Sequence, residues 1–579
     1  MCHEATSVGL PQSIGIGKGT VSLEDFDHCE LIIAMGHNPG TNHPRMMGTL
    51  HEVSRRGVPI IVFNPLRERA LERFADPQNP IEMGTFGSTP IASTYYQLKV
   101  GADAAVLKGI MKALIEQDDA GNDVLDHAFI AEHTNGFAAF AADLRATAWE
   151  AIEAVSGFTR AQLAEVAAAY ARSNATIVTY GMGITQHSRG TANVQQIANL
   201  LLLRGNFGKP GAGICPLRGH SNVQGNRTVG ITEKPNLPMF EGIERTFGFK
   251  PPSHHGHDAV AAMEAIDDGR SRVLICLGGN FAVALPDPER CQTGMRKLEL
   301  AVHLGTKLNR SHLLIGKQSI ILPVLGRTER DIQASGPQVV TVEDSMSMVH
   351  ASRGRLKPAS EHLRSESAIV AGMAMAALPS SKVPWAELIA DYDRIRDAIE
   401  GVFPDFKDYN QRIRIPGGFR LPLPPTERKW TTASGKAEFL LFNGLEEDPV
   451  VTDKAILKLT TIRSHDQYNT TIYGLDDRYR GIHNGRRVVL LNAEDIQAMG
   501  FQPNEWVDLV GQHKGQERIA ERFLIVPYDI PRRCAATYFP ETNVLVPIDS
   551  VADKSNTPTS KSVVISLRHS EEDKTSDSV

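Results

Sequence analysis

Two glycine-rich runs are the first places where this 579-residue chain invites a chemical reading. GIGKGT (15–20) has the look of a phosphate loop, but no Ser or Thr follows its lysine and no apolar strand precedes it. GMGITQ (181–186) does follow an apolar run, yet Gln186 stands where a dinucleotide fingerprint needs a third small residue. The run at 58–63 ends at Asn64, not at the Asp or Glu that would grip an NAD ribose, so a nicotinamide site is not expected. Six cysteines include no C-x-x-C pair, which argues against a disulfide framework, a zinc site or an iron–sulfur site. Cys29, Cys215, Cys276, Cys291 and Cys534 read as packing residues. His254, His255 and His257 form an HHGH run that reads as a polar loop. Cys2 taken alone is the second residue of a terminus, although its thiolate would be a soft metal ligand. Arg218, in PLRGHSNVQG, reads plainly as a brace between two loops.

The elements that must position these residues repeat one pattern, a short apolar strand running straight into a Gly/Asn-rich loop. LIIAMG (31–36), VPIIVF (58–63), TIVTYG (176–181), VLICLG (273–278) and ELAVHLG (299–305) all do this. Nearly continuous apolar runs of that length read as parallel strands buried on both faces, with helices such as 103–117 and 160–172 between them. Thr159 is placed to cap the second helix. In such sheets ligands bind beyond the carboxyl ends of the strands, where all five loops lie. From 431 onward AEFLLF, LKLTTIR, RRVVLLN, WVDLVG, RFLIVP and VVISLR suggest a small β-barrel. The reading is an α/β fold with two dinucleotide-binding-like parallel-sheet domains and a C-terminal β-barrel of double-psi type. Its domains are 1–217, a partial second α/β domain at 218–344, a helical connector at 345–430, the barrel at 431–570, and a disordered acidic tail at 571–579. With 41% hydrophobic residues, 22% charged residues and a net charge of −6, nothing points to nucleic acid. No apolar run approaches the roughly 18 residues of a membrane span, and no export signal is visible, so a cytoplasmic location is expected.

GMGITQHSRGTANVQQIANLLLLRGNFGKPGAGICPLRGHSNVQG (181–225), MCHEATSVGL, GHNPGTNHPRM (36–46), LGGNFAVALPD (277–287) and GTKLNRSH (305–312) together resemble the prokaryotic molybdopterin oxidoreductases. TIRSHDQYNTTIYG (461–474) and YFPETNVL…NTPTSK (538–561) are similar to that family's barrel segments, and the likeness is greatest to formate-dehydrogenase-like alpha subunits. The resemblance implies a molybdenum or tungsten ion held by two molybdopterin guanine dinucleotides. It makes Cys2 the protein ligand of the metal, His3 a proton carrier beside it, and Arg218 the clamp on a small anionic substrate. The strand-end loops then supply nucleotide contacts: Gly36, His37, Asn38, Thr41, Asn42, Asn64, Pro65, Gly101, Asp103, Gly181, Met182, Gly183, Thr185 and Gln186 for one pterin nucleotide. Gly278, Asn280, Phe281, Thr306, Lys307 and Asn309 would serve the other, with phosphates meeting backbone donors where helices begin. In the barrel, Arg463, Gln467, Asn469, Thr470, Asn543 and Lys561 match positions that close over the pterins.

Formate oxidation to carbon dioxide is the leading expectation. A nitrate-like oxyanion reductase and a non-catalytic pterin-binding remnant are the alternatives. Family members begin with a segment that binds a 4Fe–4S cluster and completes one pterin domain. Here Met1 immediately precedes the ligand motif. The expectation is therefore an unpaired edge and exposed apolar surface on the 219–340 sheet, with electrons leaving through an electron-transfer subunit or the missing segment.

Overall fold

The computed structural model describes residues 2–446, 448 and 456–570. It divides into two compact units, Met1–Gly219 together with Leu423–Val579, and His220–Pro422.

The first unit opens with α1 (Glu4–Ile14) and a five-stranded parallel sheet. Its strands are β1 (Leu31–Met35), β2 (Ile60–Phe63), β3 (Thr94–Tyr96), β4 (Thr176–Tyr180) and β5 (Gly213–Pro216), in the order β3-β2-β1-β4-β5. Every residue of β1, β2, β4 and β5 is buried, which is why these runs carry no polar alternation. The sheet is covered by α2 (Asp103–Gln117), α3 (Arg160–Arg172) and α4 (Gly190–Leu203). Thr159 caps α3 in a reciprocal capping box with Gln162, as its sequence suggests. Leu200, Leu201, Leu202 and Leu203 on α4 are fully buried, each contributing about 1.5–3 kcal/mol relative to exposure. α1 lies close against α4: a Cβ on Gly9 would sit 2.9 Å from the Thr191 carbonyl oxygen. That contact fixes the helix whose first turn follows Cys2 and His3.

In the second unit, β6 (Val273–Leu277), β7 (Leu300–Gly305) and β8 (Gln318–Pro323) form a parallel sheet ordered β8-β7-β6. Only β7 is buried as its apolar run implies. Val273, Ile275 and Leu277 of the edge strand β6 are 53%, 50% and 56% exposed, which corrects burial on both faces and matches the exposed apolar surface expected there. The stretch from 345 does not stand alone as a connector. Val340–Glu343, Met348–Ser352 and Phe419–Arg420 pair antiparallel within this unit, whereas Trp430 packs edge-on against Phe129 and Phe207 of the first unit.

The chain then closes a six-stranded barrel in the first unit from β9 (Leu457–Ile462), β10 (Val488–Leu491), β11 (Trp506–His513), β12 (Gln516–Pro527), β13 (Cys534–Tyr538) and β14 (Val563–His569). The order is β9-β13-β10-β12-β11-β14, with β9/β13 and β10/β12 parallel and the other pairs antiparallel. AEFLLF is not a barrel strand. Only Ala437–Glu438 is extended, pairing with Thr134–Asn135. The place in the barrel goes to CAATY of β13, whose small residues hide it from a search for apolar runs. Among the described residues no helix is long and apolar enough to cross a membrane. The acidic tail 571–579 lies outside the described residues.

Candidate functional site

Cys2 sits half-buried at the head of α1, and its carbonyl oxygen accepts a hydrogen bond from Thr185 Oγ1 at 2.9 Å. Beside it His3 is 2% exposed, with both ring nitrogens engaged. Nε2 donates to the Leu217 carbonyl at 2.8 Å, and Nδ1 meets Thr6 Oγ1 at 3.1 Å, which in turn meets Tyr180 Oη at 2.9 Å. A carbonyl can only accept, so the proton is on Nε2. Burial, and then the charge of Arg218, push the His3 pKa down to about 3. The ring is thus held neutral near neutral pH in this setting. It is an uncharged strut that ties the ligand motif to the backbone just before Arg218. Arg218 itself anchors through Nη2 to the Gly17 carbonyl at 3.0 Å. Its own carbonyl accepts from His43 Nε2 at 3.2 Å, a half-buried histidine that the sequence reading passed over.

The barrel contributes two more cations. The Arg463 guanidinium lies 3.7 Å over the Phe539 ring, and its buried Nη1 has no hydrogen-bond partner among the described residues. Burial draws its pKa down to about 9, against an opposing pull from Cys2. Lys561 donates through Nζ to the Thr461 carbonyl and through its backbone N–H to the Gln186 carbonyl at 3.1 Å. Burial, then the neighbouring Arg463, bring its pKa down to about 7, and Cys2 again pulls the other way. The structure thus brings Cys2, His3, Arg218, Arg463 and Lys561 together, from segments more than 500 residues apart in sequence.

The first strand-end loops are more self-contained than a nucleotide cradle requires. Gly36, with φ +58°, packs directly on Gly183, where a Cβ would lie 2.6 Å from Gly36 Cα; on Gly181 a Cβ would lie 2.6 Å from His37 Cβ. These three glycines let the loops after β1 and β4 touch one another. Gly101 abuts the Asp448 carboxylate in the same way, at 2.9 Å. Asn38 accepts from the Thr41 N–H and donates to Glu68, while Asn42 donates to the Asn38 carbonyl. Asn64 donates to the His37 carbonyl, and the Pro65 carbonyl accepts from Gln97. Asp103 is buried in the first turn of α2, and Gln186 donates to the Met182 sulfur at 3.7 Å. Gln467 is spent inside the barrel on Ser464, Arg486 and the Asn469 and Phe539 carbonyls. Thr470 and Asn543 are buried nearby in sequence to these loops. In the second unit the picture differs. Gly278 has φ +66° and open space around it, Asn280 and Asn309 bind Ser311 and brace the loop, Phe281 starts a short helix, and Thr306 and Lys307 are exposed.

A buried ion network that the sequence did not reveal joins barrel to sheet. Arg480 Nη2 donates to both oxygens of Glu68 at 2.9 and 2.8 Å, and Nη1 donates to Asp477 at 2.7 Å and to the Arg463 carbonyl at 3.0 Å. Glu68 holds the Asn38 amide at 2.7 Å, so one chain of contacts runs from the loop after β1 to the backbone of Arg463. Burial raises the Glu68 pKa against the lowering pull of Arg480. A second tie pairs His187 with Asp448 at 2.9 Å, while the other His187 nitrogen meets the Gly183 carbonyl at 2.6 Å.

The pattern of the molybdopterin oxidoreductases matches residues 12–329, and that of the molydopterin dinucleotide binding domain matches residues 457–564, the latter covering the barrel up to the start of its last strand. This chain belongs to the molybdopterin oxidoreductase family. Protein YdeP of Escherichia coli is 54% identical over 98% of this chain and 76% of its own length. The F420-dependent formate dehydrogenase 1 subunit alpha of Methanococcus maripaludis is 28% identical over 57% of this chain and 46% of its own. Among solved structures, acetylene hydratase from Pelobacter acetylenicus superposes with a TM-score of 0.67 at 15% identity, covering 98% of this chain and 81% of that one, which shows the shared fold. The chain is thus an oxidoreductase built for a molybdenum- or tungsten-pterin cofactor. The donor set fits such a group: partnerless buried polar atoms on Arg463, His37, His43 and Thr461, and a thiol that suits a sulfur-rich metal centre.

Proposed function

We propose that the protein oxidises formate to carbon dioxide, with Cys2 as the protein ligand of a metal held by two molybdopterin guanine dinucleotides. The observation that carries this reading is the convergence of Arg218, Arg463 and Lys561 on the segment that bears Cys2, a concentration of positive charge suited to a small anion. When bound, the metal–dithiolene group supplies the two-electron acceptor. The chain's own residues orient and exclude. Arg218 offers two parallel donors that fix a one-carbon carboxylate, and His3 holds the Leu217–Arg218 backbone in place without adding charge. Arg463, stacked on Phe539, adds a second positive centre in a site poor in water, where charge–charge attraction is strong. The similarity to a formate dehydrogenase subunit supports the substrate. The two barrel cations suit an oxyanion equally, which keeps nitrate-like reduction as the second reading.

Protein matured with a full pterin pathway should release about two GMP per metal atom on acid hydrolysis. Cys2→Ala should abolish formate-dependent dye reduction while pterin stays bound. Arg218→Lys should raise the formate requirement, because an ammonium cannot copy the fork. A parent protein that reduces nitrate and never oxidises formate would replace the first reading with the second.

A further inference from the structure

Outside the Cys2 site, the short segment after β2 and a loop of the barrel enclose a cleft of about 540 Å³ lined by Arg69, Glu72, Arg73, Arg478 and Tyr479. Its charge is unlike that of the molecule. The chain as a whole carries −6, yet this cleft collects three guanidinium groups against one carboxylate. That carboxylate is already committed, since Glu72 accepts from Arg67 Nε at 2.6 Å. The Arg69 guanidinium has no hydrogen-bond or ion-pair partner among the described residues, its carbonyl accepting only from the Arg73 N–H. Arg73 is steered by Ser88 through Nε and Nη2, and Arg478 spends only Nη2, on His465 at 3.2 Å and on the Tyr479 hydroxyl at 3.4 Å. The walls are held in place from within, because Glu68 precedes Arg69 and Arg480 follows Tyr479, and these two form the buried bidentate pair. A pre-formed pocket loses little ordering entropy on binding.

We propose that this cleft is a binding site for an organic phosphate of nucleoside-diphosphate size, separate from the pterin site. Three guanidinium groups contributed by two separate segments suit the several charges of a diphosphate better than a single small anion. The volume lies in the range of small-molecule sites and far exceeds what one phosphate fills, and Tyr479, whose ring already carries Arg478 at 5.0 Å and His465 at 4.5 Å, remains exposed at the cleft as an aromatic neighbour for the organic part.

The test is calorimetric titration of the purified chain with ADP and, separately, with inorganic pyrophosphate. ADP should bind more tightly than pyrophosphate, and both should weaken as salt is raised. Arg69→Ala and Arg478→Ala, one from each wall, should each weaken ADP by about tenfold or more, while Arg270→Ala in the second unit changes nothing. Unaltered melting temperatures identify these as binding effects. Absence of binding at millimolar ADP, or binding indifferent to both wall variants, overturns the proposal. Protein isolated with its pterin bound should take ADP with the same affinity, and loss of binding there would assign the cleft to the cofactor's own path and overturn a separate site.

Discussion

Replacing Arg480 by alanine should be the most damaging single change between barrel and sheet. Its side chain is 4% exposed and donates to Glu68, Asp477 and the Arg463 carbonyl. Its loss leaves two buried carboxylates, at 11% and 1% side-chain exposure, with no cation between them. At an effective dielectric of about 20, each attraction near 4 Å is worth about 4 kcal/mol before desolvation is counted. Breaking a buried pair from one side costs about 3–5 kcal/mol, because the remaining charge stays uncompensated. The destabilisation should also depend on pH with a definite sign. Burial already raises the Glu68 pKa, and without Arg480 that rise is larger. An acid whose folded pKa is raised penalises the fold when ionised, so the variant should recover stability as pH falls toward the carboxylate range. Glu68→Leu combined with Arg480→Met removes both charges of the bidentate pair and should recover most of the loss. Calorimetric melting at pH 8 and pH 5 measures all three proteins, and Arg480→Ala should lower the transition by about 5 °C or more at pH 8. A drop under about 1 °C, or one equal at both pH values, would refute the network as a structural tie.

The glycine reading predicts a contrast: Gly183→Ala forces a Cβ to 2.6 Å from Gly36 Cα and should cost several kcal/mol, whereas Gly278→Ala meets open space and should cost only about 1–2 kcal/mol for its left-handed backbone, both read from melting temperatures. Asp448, though buried, is held down to about pKa 2 by the facing His187. Its depressed pKa contributes stability present above about pH 4 and lost as pH falls toward 2, so Asp448→Asn should remove roughly 2 kcal/mol at neutral pH and flatten the acid limb of urea unfolding. His3→Gln should lower turnover without changing the shape of the pH–rate profile between about pH 5.5 and 8, since the imidazole is already neutral there.

The fold was largely legible because its signals are local. Apolar runs without alternation marked β1, β2, β4 and β7, and the Thr159 cap marked the start of α3. What escaped was composition that means different things in different company. VLICL in β6 reads like LIIAM in β1, but alternate β6 residues stay exposed, and burial belongs to the neighbours of a strand, not to the strand. CAATY closes the barrel with residues too small to register as an apolar run, and AEFLLF fails although it is apolar, because its partner is a two-residue strand near position 134.

The site shows the same division at the level of single residues. Cys2 and Arg218 were visible as types, a soft thiol and a planar fork, and the fold brings their segments together through His3. The setting of His3 was not visible because imidazole chemistry is judged from its solution pKa, and here burial, then the charge of Arg218, hold the ring neutral. For Gly36, Gly181 and Gly183, glycine beside a strand end permits close approach without saying to what; one approach here is to another loop. Glu68 and Arg480 were not visible at all. Each lies in a charged stretch, LRERA and DDRYR, that composition assigns to a solvated surface, and 412 residues separate them. No spacing rule connects such a pair. Only the closure of the barrel against the sheet makes two ordinary charges into the support of the Arg463 backbone, and so into part of the cationic wall that faces Cys2.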